Sequence, residues 1–147
     1  MERLHVEIDS VESLLLAGDT LHDASFLLED MLYDRDRQVF RLASWREATE
    51  TPARRHPLLW VLSTGPYARV PTLLELRGVL AMEVAHEYPK GSCKGSCIVD
   101  RFRFDTESST LTITGHPNLR IRLQLGNIDG CFEDTGDPTW DPPPWML

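Results

Sequence analysis

Two stretches of this chain carry the same alternation, and that repeat constrains the fold more than any other feature. In SFLLEDMLYDRDRQVFRLASW, starting at Ser25, an alternating run ends in Tyr33-Asp34. A charged loop, Arg35-Asp36-Arg37, follows, and a second run holds Val39, Phe40, Leu42 and Trp45. In CIVDRFRFDTESSTLTITG, starting at Cys97, the design recurs. Setting Tyr33-Asp34 on Phe104-Asp105 places Met31 on Phe102, Glu29 on Asp100, Phe40 on Leu111 and Leu42 on Ile113. Side chains of an extended strand point to opposite faces in turn, so period two with polar residues between the runs predicts a β-hairpin with a loop longer than two residues. Two hairpins of one construction predict a mainly β (α+β) fold of antiparallel sheets around a shared core, with a pseudo-repeat.

The remaining segments supply partners for these ribbons. After Gly115-His116-Pro117-Asn118, LRIRLQL predicts a strand with Leu119, Ile121, Leu123 and Leu125 inward and Arg120, Arg122 and Gln124 outward. IDGCFED, 128–134, predicts a further short strand. TLLELRGVLAMEVA, 72–85, fits two patterns. As a helix it has a Thr72/Glu75 capping box and a stripe of Leu73, Leu76, Leu80 and Val84; as a strand it shares a face among Leu74, Leu76, Leu80, Met82 and Val84, with a bulge at Gly78. The strand is favoured because neighbouring strands need partners. Near the N-terminus, Asp9 with Glu12 forms a capping pattern, which predicts a short helix over 10–17 ended by Gly18. Residues 46–57 read as a polar loop and LLWVLS, 58–63, as a short apolar segment before a Gly65-Pro66 turn. The last stretch, 135–147, reads as an extended tail in which Pro138, Pro142, Pro143 and Pro144 block pairing while Trp140 and Trp145 anchor it.

A chain of 147 residues is the usual length of one domain, expected here over 1–147. No apolar run reaches the roughly 18 residues that span a bilayer, and MERLHVEIDS lacks a basic-then-apolar signal pattern. The expectation is a cytoplasmic protein with no membrane partner. Net charge is −8, with twelve acids against seven bases in 1–57, six against eight in 58–125 and five against none in 126–147. Repulsion of phosphates at that charge argues against nucleic-acid binding, while the middle segment can still carry a local cationic patch.

Four constellations carry potential chemistry. KGSCKGSC, 90–97, sets Cys93 and Cys97 four apart, and His86 and Cys131 could complete a four-ligand set. The spacing matches no zinc pattern and exceeds the two residues of the usual redox motif, so free thiols in a loop, with neither metal nor cofactor, are the expectation. Glu29 and Asp100 sit at equivalent places on otherwise apolar faces, the arrangement an acid/base pair would use, but both lie near strand starts where water reaches them. No catalytic residue is assigned. His22-Asp23 resembles half a dyad without a nucleophile, and a structural role at the helix–strand junction is expected. Finally, if 98–105, 110–114 and 119–125 form a meander, Arg101, Arg103, Arg120 and Arg122 project from one face with Thr110, Thr112 and Thr114 between them. Guanidinium groups in that array can grip an acidic protein partner through bidentate pairs; the alternative is a solvated face, or one neutralised by the acidic C-terminal segment.

Leu21-His22-Asp23-Ala24, the aromatic-Asp turn at Tyr33-Asp34 and Leu76-Arg77-Gly78-Val79 together resemble small bacterial domains with an "LHDA"-type opening, some of which are classed as immunity proteins of polymorphic toxin systems. The resemblance spans most of residues 20–134 and implies a compact β-rich fold and partner binding. It supplies no catalytic residues, and the KGSCKGSC loop and Trp/Pro tail depart from it. The expected function is a non-enzymatic protein-binding module of the immunity or antitoxin kind. The alternative is a metal-binding or thiol-redox protein built on the Cys93/Cys97 loop.

Overall fold

The computed structural model describes residues 3–50, 68–87 and 95–140. In chain order these form β1 (His5–Ile8), α1 (Val11–Thr20), β2 (Ser25–Leu27), one 3₁₀ turn (Leu28–Asp30), β3 (Met31–Asp34), β4 (Val39–Glu47), β5 (Arg69–Ala85), β6 (Ser96–Asp105), β7 (Thr110–His116) and β8 (Leu119–Asp134). The protein is mainly β, with antiparallel pairing throughout. The strands run β1-β8-β5-β4-β2-β6-β7, and β7 pairs back onto β8, so the sheet closes into a barrel from which β1 and β3 extend.

Both ribbons form, and the alignment of one on the other holds in their pairing. Tyr33 lies opposite Phe40 and Met31 opposite Leu42; Phe104 lies opposite Leu111 and Phe102 opposite Ile113. Their turns are chemically matched. The Asp34 carboxylate accepts the N–H groups of Asp36 and Arg37, and that of Asp105 accepts the Glu107 N–H and the Ser108 hydroxyl. Each turn leaves through a left-handed residue, Gln38 at φ 58° and Ser109 at φ 53°. The carbonyls of these two residues then accept N–H groups from the next long strand, Val79 and Leu125, both at 2.9 Å. Thus β5 is to the first hairpin what β8 is to the second. The halves meet where Val79 pairs with Leu125 and where β2 pairs with β6 about the Phe26–Cys97 pair.

One core fills this enclosure, contributed by alternate residues such as Phe40, Leu42, Leu74, Leu76, Leu111, Ile113, Ile121, Leu123 and Phe132, and closed by Leu14, Ala17 and Leu21 of α1. A smaller cluster of Ala48, Ala68 and Val70 receives Trp140, and Arg69 and Thr139 exchange backbone hydrogen bonds of 2.8 Å beside it, so Trp140 anchors its end of the tail. Trp145, Cys93 and the segments 51–57 and 58–63 lie outside the described residues.

Several local expectations are corrected. The helix runs Val11–Thr20, capped by Ser10 with Ser13 as the reciprocal partner, because Ser10 rather than Asp9 takes the extended cap conformation. Gly18 lies inside α1; a Cβ there would stand 2.6 Å from Phe102 Cβ, so the glycine permits close approach of α1 to β6 instead of ending the helix. The 72–85 segment is a strand, as favoured, with Gly78 at φ 73° marking the irregularity where the β5–β8 register shifts. Residues 119–125 and 128–134 belong to one 16-residue strand, since the register shift is absorbed by Gly126, Asn127 and Ile128 without breaking the ladder. The first alternating run is interrupted at Leu28–Asp30, so β2 stands between β4, which it meets at Ser25–Trp45, and β6.

Candidate functional site

On β6, β7 and β8 the inward positions are taken by Phe102, Leu111, Ile113, Ile121 and Leu123. Alternation therefore sends Arg101, Arg103, Thr112, Thr114, Arg120 and Arg122 outward. Register then orders them. Arg101 lies opposite Thr114, and Thr114 opposite Arg120; Arg103 lies opposite Thr112, and Thr112 opposite Arg122. The result is two Arg–Thr–Arg rows across three adjacent strands. With neighbouring strands about 4.8 Å apart, the arginine columns stand roughly 10 Å apart, and two residues of rise separate the rows by about 7 Å. The four arginines are exposed and the threonines half-buried, and together with Asp100 they line a shallow basin of about 530 Å³.

Little among the described residues neutralises this face. Among the described residues, only Arg122 has a carboxylate within 4 Å, that of Glu83 at 3.9 Å. The described acids of the C-terminal segment answer other cations: Asp129 pairs with Arg77 at 3.1 Å, Asp134 with Arg46 at 2.8 Å and Asp137 with Arg3 at 3.4 Å, while Glu133 lies 3.3 Å from His5. The equivalent surface of the first half makes the contrast plain. Its corresponding row is Leu32–Arg41–Glu75, in which Arg41 Nε donates to Glu75 at 3.1 Å. Arg77 in turn reaches both Glu75 and Asp129, and the Arg77 hydrogen bonds hold the Asp129 carboxyl below its ordinary range. One scaffold thus carries a self-neutralised face and a cationic one. Acids border the cationic rows: Asp105 follows Arg103 on β6, Asp100 sits in the bulge before Arg101, and Glu83 flanks Arg122.

The other sequence candidates separate. Antiparallel β2–β6 pairing sets Ser25 opposite Ile98 and Leu27 opposite Ser96, so the chain passes Asp100 near Asp23 and runs away from it. Leu28 N–H then bonds Gly95 O at 2.7 Å, which places exposed Glu29 beyond the far end of that pairing. The carboxylates of Glu29 and Asp100 do not converge, because the 3₁₀ turn redirects one strand and a bulge the other. His22 Nδ1 lies 2.7 Å from the Asp100 carbonyl, which raises its pKa by favouring the protonated ring, and Asp23 N–H donates to Val99 O. The pair fastens the helix–strand junction, as expected. Cys97 points into the core with its Sγ 3.8 Å from His86 Nε2, and burial raises its thiol pKa. Cys131 lies on the outer side of β8 between Glu7 and Glu75, so the two thiols occupy opposite sides of the barrel wall. Among the described residues no three His, Cys, Asp or Glu side chains gather as a metal site.

Sequence reading missed a buried ionic cluster. Arg46, with a 2% exposed side chain, donates through Nε and Nη2 to Asp134 at 2.8 and 2.9 Å. The same guanidinium reaches Glu50 at 3.0 and 2.6 Å and the Glu47 carbonyl at 3.2 Å. Burial pulls the Arg46 pKa down, and the hydrogen bonds of Asp134 and Glu50 more than reverse it. The signal was available: Phe40, Leu42, Ser44 and Arg46 share one parity, so an arginine in the inward series demanded a carboxylate.

The chain matches no family model, no curated protein and no solved structure. Among the described residues, no helix is long and apolar enough to cross a membrane.

Proposed function

We propose that this protein is a non-enzymatic binding module that holds an acidic protein partner against Arg101, Arg103, Arg120 and Arg122. The observation carrying this reading is the pair of Arg–Thr–Arg rows in which, among the described residues, a single arginine has a carboxylate within 4 Å, on a molecule of net charge −8. Four like charges held within about 10 Å repel one another, and an incoming carboxylate relieves that repulsion while accepting bidentate, charge-assisted bonds. The equivalent first-half face needs no such ligand, because Glu75 and Asp129 already answer Arg41 and Arg77. The LHDA-type resemblance gives the proposed partner a class: a toxin domain presenting an acidic patch to an immunity-like module.

The test compares the wild-type chain with Arg120→Glu/Arg122→Glu. Proteins captured by the wild type from source-cell extract are identified, purified and titrated against both forms by calorimetry. Reversal is expected to weaken the acidic partner by about 100-fold, or about 3 kcal/mol, with the far-UV spectrum unchanged. Equal affinity of both forms for every captured protein refutes the assignment.

A further inference from the structure

We propose that this face reads two carboxylates placed two residues apart in an extended segment of the partner, an inference that rests on the acidic-partner reading above. The rows fix a spacing. Arg101, Thr114 and Arg120 are in register, as are Arg103, Thr112 and Arg122. Side chains at i and i+2 of an extended chain point the same way about 7 Å apart, the same interval that separates the rows. A strand-like segment laid along the threonine column would therefore lower one carboxylate onto each row. Each carboxylate would accept from an arginine on either side, with a threonine hydroxyl beneath. A helix is about 10–12 Å across, too wide to settle between columns whose backbones stand roughly 10 Å apart.

The borders fix a length. Beyond Arg103 the next outward residue on β6 is Asp105, whose row continues through Thr110 to Gln124. Beyond Arg101 lies Asp100 in the bulge, and Glu83 stands beside Arg122. A third anionic group in series would meet Asp105 or Asp100. That arrangement accepts a pair of charges and disfavours a continuous polyanion such as nucleic acid, and neither row carries an aromatic side chain on which bases could stack.

The experiment titrates the full ¹⁵N-labelled chain with capped nine-residue peptides of one composition and net charge −2, rich in Thr and Val. Their two glutamates lie at i,i+1, at i,i+2 or at i,i+5. A single-stranded nonanucleotide and inorganic pyrophosphate are titrated in parallel. The i,i+2 peptide is expected to bind at least tenfold tighter than the other two and to shift the amides of Thr112 and Thr114. Arg103→Ala, which disables one row, is expected to reduce it to the affinity of a single-glutamate peptide. Equal binding of all three spacings, no shift with any of them, or tighter binding of the oligonucleotide or pyrophosphate overturns the spacing rule. If the partner captured above stays sensitive to Arg120→Glu/Arg122→Glu while spacing has no effect, the spacing rule fails and the binding role stands. If reversal leaves that partner unaffected, both fail.

Discussion

Replacing Arg46 by methionine isolates the energetics of the buried cluster. All five guanidinium N–H donors of Arg46 are engaged, two on Asp134, two on Glu50 and one on the Glu47 carbonyl, and the Asp134 side chain is wholly buried. Arg46→Met preserves most of the apolar stem but leaves the Asp134 carboxylate with the Leu4 N–H, at 2.8 Å, as its remaining hydrogen-bond donor. Removing one member of a buried pair costs about 3–5 kcal/mol, because the other charge stays desolvated. For a chain of this size each kcal/mol moves Tm by about 2–4 °C, so a fall of roughly 6–20 °C is expected. Glu50, which is partly exposed, can turn to water, so it adds little to the loss. The companion variant Arg46→Met/Asp134→Leu removes the stranded charge and is expected to return to within about 2 kcal/mol of wild type. Urea unfolding followed by fluorescence and circular dichroism measures both. A single-variant loss below about 1 kcal/mol, or a double variant less stable than the single one, would refute the argument that desolvation of Asp134 controls the cost.

Gly18→Ala sets helix propensity against packing. Alanine favours a helix interior by about 1 kcal/mol, but its methyl would stand 2.6 Å from Phe102 Cβ and Cγ, and overpacking costs about 1–3 kcal/mol. A net loss of up to about 2 kcal/mol in urea is expected, and a stabilised variant would show that α1 can move off β6 freely. His22, whose pKa the Asp100 carbonyl raises above its ordinary 6.5, contributes stability that is complete below about pH 6.5 and is lost as pH rises through the folded-state value. An NMR titration should place its ring above 6.5, and His22→Ala should remove that part of the pH dependence. His5, raised by Glu7 and Glu133, acts in the same sense and remains in the variant.

The barrel wall was legible because alternation is local. LRIRLQL declares its faces within seven residues, and the paired aromatic-Asp turns announce equal ribbons. What alternation cannot reveal is a change of partner. The Leu28–Asp30 turn looks like strand, yet it separates β3 from β2, which bridges β4 to β6 and so closes the barrel. Gly126-Asn127 looks like the end of a strand, yet Gly78 across the ladder makes room: a Cβ on it would collide with Asn127 Oδ1. Helix capping failed for a similar reason, since Asp9 and Ser10 are both competent caps and the backbone conformation at Ser10 decides between them. The arginine face was legible as residues on a face but not as rows, because rows require inter-strand register, which only β6–β7 and β7–β8 pairing fixes.

Net charge and local charge make opposite demands on a partner, and distance decides between them. At physiological salt, fields between exposed charges decay over about 8 Å, a span shorter than the barrel but close to the separation of the two arginine rows. An acidic partner far from the surface therefore meets weak repulsion from a −8 molecule, while one in contact with the rows meets four guanidiniums before it senses the acids elsewhere. Asp100, Asp105 and Glu83 are the acids close enough to matter at contact, and each lies at a border of the rows. Their effect would fall on ligands that overrun the patch, so the proposed selectivity for a short acidic epitope would follow from where the negative charges stand rather than from how many there are. The inward halves of β6, β7 and β8 are committed to the core and cannot vary this pattern without cost to folding; the outward halves can. That freedom is why two halves with the same turns and the same register present one neutral face and one cationic face.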